Sequence, residues 1–282
     1  MKKLFGFVLC ALLLPVVFTF TGCGGVDLYM YMYAGKYEAI SSGDTFDNVK
    51  DIDIDWITGN LTIKSGAVEK VTITENGDNA GSKPAYYRQF KNGLMDIKYF
   101  KSGETRDTSI MKDLVITIPE DTVLKGIEIN APMANVNIIG VECNDIKITT
   151  SSGDTVVTGS GFTTAKVVAG SGDITFTSCS VDYTLTLNPN TGNVLVENCD
   201  VLDYTVYTFS GIITIKLDDE SFLLDWNTNL GGICNYEDAF GTLTDDGDGG
   251  LVYGNVAEIL HKISFEATSD NGTLNLLKND GQ

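Results

Sequence analysis

A glycine-centred turn recurs along the chain at a nearly constant step, and this repeat restricts the possible folds more than any other feature. The turn glycines are Gly153, Gly172, Gly192, Gly211 and Gly231, at successive separations of 19, 20, 19 and 20 residues. A step of this size indicates a repeat architecture, in which each unit packs on its neighbours in the chain.

Apolar and polar residues alternate on both sides of each turn. Val167 and Leu187 precede their turns and Phe176 follows one, while Lys147 and Thr186 occupy intervening positions. A period of two predicts two short strands per unit, each with one face inward. A unit this small cannot bury its apolar face alone, so the units must stack, about 4.8 Å apart. We therefore predict an all-β fold, a single-chain parallel β-solenoid with rungs of about 19–20 residues.

The turn residues suggest how the corners are made. We expect the turn glycines to adopt φ > 0, which other residues tolerate poorly. The adjacent Asp154, Asp173 and Asn193 are then predicted to bond their own backbone. A calcium ladder is the alternative, but the GGxGxDxUx pattern of calcium-binding β-rolls is missing. We predict no metal and no cofactor.

Shorter stretches on either side have the same pattern. Residues 49–65 contain a turn at Gly59, Gly93 opens a strand that ends at Lys98, and residues 262–277 are predicted to form the terminal rung. Residues 77–90 are expected to be an irregular insertion, and residues 240–255, rich in Asp and Gly, a solvated acidic loop. The predicted solenoid domain covers residues 45–282.

The first 22 residues have the layout of an export signal. Lys2 and Lys3 precede an apolar run, and the small pair Thr21-Gly22 precedes Cys23. This ending resembles the lipobox of bacterial lipoproteins, in which the cysteine is acylated and becomes the first mature residue. An ordinary secretory signal and an uncleaved membrane helix are the alternatives. No later segment has the eighteen apolar residues that spanning a bilayer requires, so we predict attachment through a lipid on Cys23, at the outer face of the membrane or envelope.

Residues 23–44 are expected to join the lipid to the solenoid. Within them Tyr29, Tyr31 and Tyr33 alternate with Met30 and Met32. This pattern fits either a strand that covers the first rung or an aromatic tether close to the lipid headgroups.

The charge balance argues against one class of partner. The full chain has a formal net charge of −19. Without Lys2 and Lys3 the mature chain has 17 basic and 38 acidic residues. Such a surface repels phosphate backbones, so we predict no nucleic-acid binding.

Four cysteines follow Cys23. Cys179 and Cys199 each lie seven residues after their turn glycine, so stacking would place them in adjacent rungs. That spacing is within the range for a disulfide, and two stacked free thiols are the alternative. Cys143 is expected to be a small buried hydrophobe, and Cys234 has no assignment.

Catalytic groups are scarce. His261 is the one histidine, expected at the rim of its strand, and Ser160 lacks the spacing of a nucleophile elbow. Arg88 and Arg106 lie outside the regular rungs. We therefore predict that the protein is not an enzyme and has no catalytic residue.

The outward positions of the rungs include a few apolar residues among Thr, Lys and Asn. Val156, Val168, Leu195 and Tyr207 are the candidate surface contacts, on what should be a flat face. Scattered apolar residues are also ordinary on any soluble surface, and this alternative stays open.

Several segments together resemble a known bacterial family. The turns of the form S-G-D-[I/V]-x-[I/V], the segment IDIDWITGNLTI, the strand LVITIPED and the ending KISFEATSDNGTLNL are similar to the adhesin-like β-strand-repeat family. The resemblance covers roughly residues 45–277. It implies an envelope protein, anchored by a lipid or a helix, with a single-chain β-solenoid fold and no catalytic motif.

Three functions follow as hypotheses. The first is a lipid-anchored surface module that binds a protein or glycan of the envelope or host. The second is a structural or regulatory envelope protein that acts in stress sensing beside a membrane partner. The third and most remote is a polysaccharide-active enzyme on a β-helix.

Overall fold

The computed structural model describes residues 28–77, 82–90, 92–218, 221–227, 232–245, 250–254, 259–267 and 271–279. The predicted signal and Cys23 lie outside these ranges. Within them the chain is almost entirely β-structure, with a 3₁₀ turn at Ala34–Lys36 and one short helix, α1 (Glu237–Phe240). None of the helices in the described ranges is long and apolar enough to cross a bilayer.

The strands are β1 (Leu28–Tyr29), β2 (Glu38–Ala39), β3 (Asp44–Phe46), β4 (Asp51–Asp55), β5 (Thr58–Gly66), β6 (Val71–Asn76), β7 (Tyr86–Gln89), β8 (Leu94–Lys98), β9 (Glu104–Thr105), β10 (Lys112–Pro119), β11 (Val123–Ala131), β12 (Met133–Ile139), β13 (Glu142–Thr150), β14 (Thr155–Thr158), β15 (Gly161–Ala169), β16 (Ile174–Thr177), β17 (Ser180–Asn190), β18 (Val194–Glu197), β19 (Asp200–Thr208), β20 (Ile212–Leu217), β21 (Phe222–Asn227), β22 (Ile233–Asn235), β23 (Thr244–Asp245), β24 (Leu251–Tyr253), β25 (His261–Ala267) and β26 (Thr273–Lys278).

Two long sheets face each other and form the body of the molecule. The parallel part of the first sheet has the order β8-β4-β11-β13-β15-β17-β19-β25-β21, and that of the second has the order β10-β5-β12-β14-β16-β18-β20-β26-β22. One strand from each sheet makes a rung, such as β13 with β14. The predicted parallel β-solenoid is confirmed.

The core lies between the sheets and is built from the alternating apolar positions. In the first sheet Ile148, Val167, Leu187 and Val206 stack in register, and all four are fully buried. In the second sheet Val157, Phe176 and Val196 form the matching column, also fully buried. Because like positions superimpose, each rung covers the apolar surface that its neighbour would otherwise expose.

The order of rungs differs from the order of the chain at both ends. The rung β4–β5 lies between the later rungs β8–β10 and β11–β12. At the other end β25–β26 is inserted between β19–β20 and β21–β22. The prediction that residues 262–277 form the terminal rung is therefore wrong. Phe265, not Trp226, pairs with Val206, and Trp226 comes one step further along.

The turn glycines are required for a different reason from the one predicted. Gly153, Gly172, Gly192 and Gly211 do not have positive φ. Instead, a Cβ on Gly172 would lie 2.0 Å from the carbonyl oxygen of Gly153, and one on Gly192 would lie 2.1 Å from that of Gly172. The backbones of successive rungs approach so closely at this corner that no side chain fits between them.

Positive φ occurs at the opposite corner of each rung, where the chain passes from the second sheet to the first. Gly140, Gly159, Ser178 and Asn198 occupy this position in successive rungs, with φ of 64°, 57°, 55° and 52°. Asn and Gly are among the residues that tolerate this conformation best, and Ser178 is the exception.

The Asp and Asn side chains beside the turn glycines link adjacent rungs. The backbone N–H of Asp173 donates to Oδ1 of Asp154 at 2.9 Å, and that of Asn193 donates to Oδ1 of Asp173 at 2.8 Å. The prediction that these side chains bond their own backbone is therefore wrong. Within the described ranges, no three His, Cys, Asp or Glu side chains are placed to share a metal ion.

Antiparallel strands cover both sheets at one end of the stack and the first sheet at the other, which protects these edges from pairing with other chains. At one end β7 pairs with β8 and β6 with β10, so part of the segment 77–90 is regular. At the other end β24 pairs with β21, and Phe240, Leu243 and Val252 are buried. The described part of 240–255 is thus a packed cap and not a solvated loop.

Residues 28–44 also pack on the body. Tyr29, Tyr37 and Ile40 are buried, and β2 pairs with β7. The described part of the predicted tether is therefore an ordered cover.

Candidate binding surfaces

The outer face of the second sheet carries a strip of apolar and threonine side chains. One outward column runs through Asn137, Val156, Thr175, Leu195 and Thr214 in successive rungs. Val156 is exposed and Leu195 is half-buried. Since the strands are about 4.8 Å apart, the five side chains form a straight, rigid row about 19 Å long.

Polar and apolar neighbours widen this row into a surface. Ile212 is half exposed at its edge and, with Asp173, Thr175, Asn193 and Leu195, lines a shallow depression of about 330 Å³. We call the side chains of this row, together with Ile212, the threonine strip. Its backbone is fixed by the ladder on both sides, so binding here would cost little ordering entropy.

The four predicted contact residues do not share a face. Val156 and Leu195 point outward from the second sheet, whereas Val168 and Tyr207 lie on strands β15 and β19 of the first. The expectation of a single flat face is therefore wrong. One partner can contact one pair or the other, but a rigid partner on one side cannot contact both.

The first sheet presents a more charged outer face. Glu128, Lys147 and Lys166 follow one another in a column, and Lys147 Nζ lies 2.6 Å from Glu128 Oε1. Gly126 has no side chain to fill the adjacent column, which leaves a groove of about 380 Å³ between Asp51 and Asp145.

At the start of the stack this face is covered, and a group of charges is buried beneath the cover. Lys98 Nζ lies 2.6 Å from Asp55 Oδ2 and 2.9 Å from Asp96 Oδ1, while Arg88 Nη2 lies 3.4 Å from Asp96 Oδ2. The hydroxyl of Tyr37 donates to Asp96. These pairs satisfy one another's charges, so they are a structural network that holds the cover in place.

The burial of this network changes its titration. Burial raises the pKa of Asp53 in spite of the nearby Lys98. For Asp55, burial is outweighed by the hydrogen bond and charge of Lys98, which hold its pKa below the ordinary value. Burial and the hydrogen bond to Asp96 together raise the pKa of Tyr37. The lowered pKa of Asp55 and the raised pKa of Lys98 both favour the ionised form of this pair, and the raised pKa of Tyr37 favours its neutral hydroxyl.

A second buried ion pair lies in the core at the same end of the stack. The Lys112 side chain is fully buried, with Nζ 3.0 Å from Glu75 Oε1 and 4.0 Å from the centroid of the Tyr99 ring. Nζ also donates to the carbonyl of Tyr99. Burial lowers the pKa of Lys112 to about 8, although Glu75 opposes the shift.

Cys179 and Cys199 lie in adjacent rungs and both are free thiols. The backbone N–H of Cys179 donates to the sulfur of Cys199 at 3.3 Å. The hydrogen bond between the two side chains lowers the pKa of Cys179 and raises that of Cys199. Cys199 also lines an outer cavity of about 480 Å³ with Asp182, Asp200 and His261. A disulfide between them stays a prediction.

The other singled-out residues have structural contacts. Ser160 is buried, accepts from the N–H of Val141 at 3.1 Å and donates to the carbonyl of Thr158 at 3.0 Å. His261 is buried and not at a rim, with Nδ1 2.7 Å from the carbonyl oxygen of Val201. Cys143 is buried and Cys234 half-buried, and burial raises the pKa of each to about 12.

Sequence reasoning missed both buried ion networks. Alternation places Lys98 on the outward face of its strand and Lys112 on the inward face, but it does not reveal that both are buried in ion pairs. Asp55 and Glu75, which pair with them, lie on other strands. The second corner, by contrast, could have been found from the sequence. Its residues recur with the rung spacing, at Gly140, Gly159, Ser178 and Asn198.

The repeat and the two facing sheets are shared with a known protein family. The model of the Toastrack DUF4097 family matches residues 49–238, which is more than half of the chain. The chain belongs to this family, and the resemblance to an adhesin-like β-strand-repeat family is confirmed. A comparison with curated proteins gives no match.

A comparison with solved structures finds similar proteins in several bacteria. A protein from Bacteroides fragilis NCTC 9343, named as a candidate adhesin, is 17% identical with a TM-score of 0.53, over 85% of this chain and 97% of that one. A candidate cell adhesion protein from Clostridium sporogenes ATCC 15579 is 13% identical, with a TM-score of 0.35, over 86% and 97%. A candidate lipid binding protein from Parabacteroides distasonis ATCC 8503 is 12% identical, with a TM-score of 0.41, over 86% and 96%. The first of these shows the shared fold.

Proposed function

We propose that this protein is an exported, lipid-anchored module of the cell surface that binds a protein or glycan through the threonine strip. The protein acts by binding and not by catalysis. Its anchor is a lipid on Cys23, and its rigid body carries the binding face away from the membrane.

The observation that carries this proposal is the threonine strip itself. Val156, Thr175, Leu195 and Thr214 repeat across rungs on a face that the described N-terminal segment leaves open, whereas that segment covers part of the first sheet. Methyl and hydroxyl groups in a straight row can pack against a partner's apolar surface and hydrogen-bond to it.

Two further features support the proposal. The hydroxyl of Ser160 and the imidazole of His261 are engaged in hydrogen bonds or close polar contacts with the backbone, as expected of structural groups. The Bacteroides fragilis protein of the same fold is named as a candidate adhesin, although at 17% identity the likeness concerns the fold alone.

The test compares two matched pairs of substitutions. Cells that display the chain would be measured for attachment to an immobilised glycan array and to immobilised matrix protein. The double variant Val156→Glu/Leu195→Glu should lose attachment roughly tenfold or more, because it places two charges in an apolar contact. Val168→Glu/Tyr207→Glu, on the first sheet, is the matched control and should attach like the parent. Equal loss in both pairs, or in neither, would refute the assignment of the face.

The anchor is tested separately. Cys23→Ser should move the protein from the membrane fraction to the medium, while Cys10→Ser, within the apolar run, should leave it in place. If Cys23→Ser stays in the membrane fraction at full level, the lipid anchor is wrong.

A further inference from the structure

The segment from Leu28 to Tyr33 has two sides of opposite character. Tyr29 is 7% exposed and packs into the body, whereas Leu28, Met30, Met32 and Tyr33 are 50%, 68%, 76% and 63% exposed. We call these four exposed side chains the methionine patch. Exposed apolar side chains that cluster on one ordered segment mark a contact surface, whereas scattered ones do not.

The patch is held in a fixed position. The N–H of Gly103 donates to the carbonyl of Tyr29 at 2.7 Å, and the N–H of Tyr31 donates to Oγ of Ser102 at 3.2 Å. The ring of Tyr31 packs 5.8 Å from that of Tyr29 and 4.3 Å from that of Tyr37, measured between centroids. These contacts fix the backbone of the segment and therefore the positions of its outward side chains.

The charge around the patch differs from that of the whole molecule. Residues 28–37 contain no Asp or Glu, although the chain has a net charge of −19. Lys36 Nζ lies 5.5 Å from the centroid of the Tyr33 ring, and the Arg106 guanidinium lies 5.2 Å from that of Tyr29. Lys36, Lys101 and Arg106 are the basic groups of its rim. Glu38 and Glu104, the last paired with Tyr29 across β1 and β9, lie beside them, and Asp27 precedes Leu28 in the chain. The surroundings of the patch are therefore balanced in charge and not strongly acidic like the whole chain. Apolar and aromatic side chains with basic groups at the rim suit the polar-apolar boundary of a membrane.

The short distance from the patch to Cys23 indicates that the patch contacts a membrane. Five residue steps separate Cys23 from Leu28, and an extended chain covers at most about 18 Å in that number. A lipid on Cys23 would thus hold the methionine patch within reach of the headgroup region of the same bilayer.

We propose that Leu28, Met30, Met32 and Tyr33 lie in the headgroup region of the bilayer and form a second membrane contact beside the lipid. This inference rests on the proposed lipid anchor for its geometry, but the contact itself is made by side chains. Tyrosine and the basic rim face the headgroups, and the methionine and leucine side chains reach the acyl boundary. The result is a stack whose first rungs are tied to the surface at two points.

The experiment uses the chain from residue 23 onward with Cys23→Ser, so that no lipid is present, and vesicles of phosphatidylethanolamine with phosphatidylglycerol. Sedimentation with vesicles should show weak binding. The triple variant Met30→Ser/Met32→Ser/Tyr33→Ser should reduce the bound fraction roughly tenfold, since it removes most of the apolar area that would insert. The matched control Val123→Ser/Tyr183→Ser/Leu202→Ser changes exposed apolar residues of the rungs, outside both the patch and the threonine strip, and should bind like the parent.

The outcomes separate this inference from the anchor. If the triple variant binds vesicles as well as the parent, or if the parent does not bind at all, the membrane contact is wrong whatever happens at Cys23. Mass analysis of the membrane-bound full chain decides the lipid independently. If the patch binds vesicles and Cys23 carries no acyl group, the proposed lipid anchor is wrong and the proposed membrane contact stands. Equal unfolding midpoints of parent, triple variant and control would exclude loss of fold as the cause.

Discussion

Individual residues in this protein are selected mainly by what lies one rung above or below them. The turn glycines illustrate this, because the atom that excludes a side chain at Gly172 belongs to Gly153 in the preceding rung. The same holds for Asp154, whose carboxylate accepts the N–H of Asp173. A substitution should therefore be judged against the neighbouring rung and not against its own turn.

Gly172→Ala should destabilise the protein by about 1–3 kcal/mol, because its methyl group would overlap a backbone carbonyl that cannot rotate away. Urea unfolding gives the free energy of unfolding. Gly35→Ala is the matched control, since nothing lies within 4 Å of the position of its Cβ. Similar free energies for the two variants would mean that the rungs are not in close contact at this corner.

Lys112 should show the cost of a buried charge. Lys112→Met alone should destabilise by about 3–5 kcal/mol, since it leaves Glu75 buried without its partner, and the double variant with Glu75→Gln should recover much of the loss. The measurement is a double-mutant cycle in urea. Strictly additive losses would show that the pair is not coupled.

Lys112 also predicts a pH dependence. Its folded pKa of about 8 lies below the unfolded value of 10.5. Between these values the unfolded chain holds the proton and the folded chain has released it, so the free energy of unfolding contributed by this group rises with pH. The wild-type protein should gain stability relative to Lys112→Met as the pH increases through this window. A constant difference between the two proteins would contradict the assignment.

Pairs of strands, rather than single turns, decide where a segment sits in the stack. The rung β25–β26 follows all others in the chain but lies inside the stack, with Phe265 between Val206 and Trp226 in register. The N-terminal rung β4–β5 is likewise enclosed by later rungs. Both rungs are thus held by neighbours on two sides.

Phe265→Asp should therefore destabilise about as strongly as Leu187→Asp, by about 4 kcal/mol or more, because each puts a charge between two apolar rungs. Ser264→Asp, outward on the same strand, is the control and should change the unfolding midpoint little. A loss for Phe265→Asp well below that for Leu187→Asp would indicate a frayed terminal rung.

The whole molecule is a stack of rungs with a cap at each end and one covered side. In the part of the chain that the structure describes, nine parallel strands in each sheet, about 4.8 Å apart, give a body about 38 Å long before the caps are added. X-ray scattering from the chain beginning at residue 23 should give a radius of gyration above the value of about 18 Å expected for a compact globule of this length. A round particle, or a circular dichroism spectrum dominated by helix, would be incompatible with the stack.

The alternating strands, the length of the rung and the parallel stacking can all be predicted from the amino-acid sequence. These features depend on local backbone geometry and on the nearly constant spacing of the turn glycines, which is visible in the sequence at Gly153, Gly172, Gly192 and Gly211. Residues such as Leu187 could be placed in the core because a period of two leaves only one inward face.

The order of the rungs, the reason for the turn glycines and the cover over the first sheet depend on contacts between segments that are far apart in the chain. Rungs with similar apolar columns can stack on one another in more than one order, so the choice depends on contacts between distant segments, such as Phe265 with Val206 or Tyr37 with Asp96. The separation of Val156 and Leu195 from Val168 and Tyr207 also follows from which strand enters which sheet. Alternation specifies that a side chain points outward, but the pairing of strands specifies the face to which it belongs.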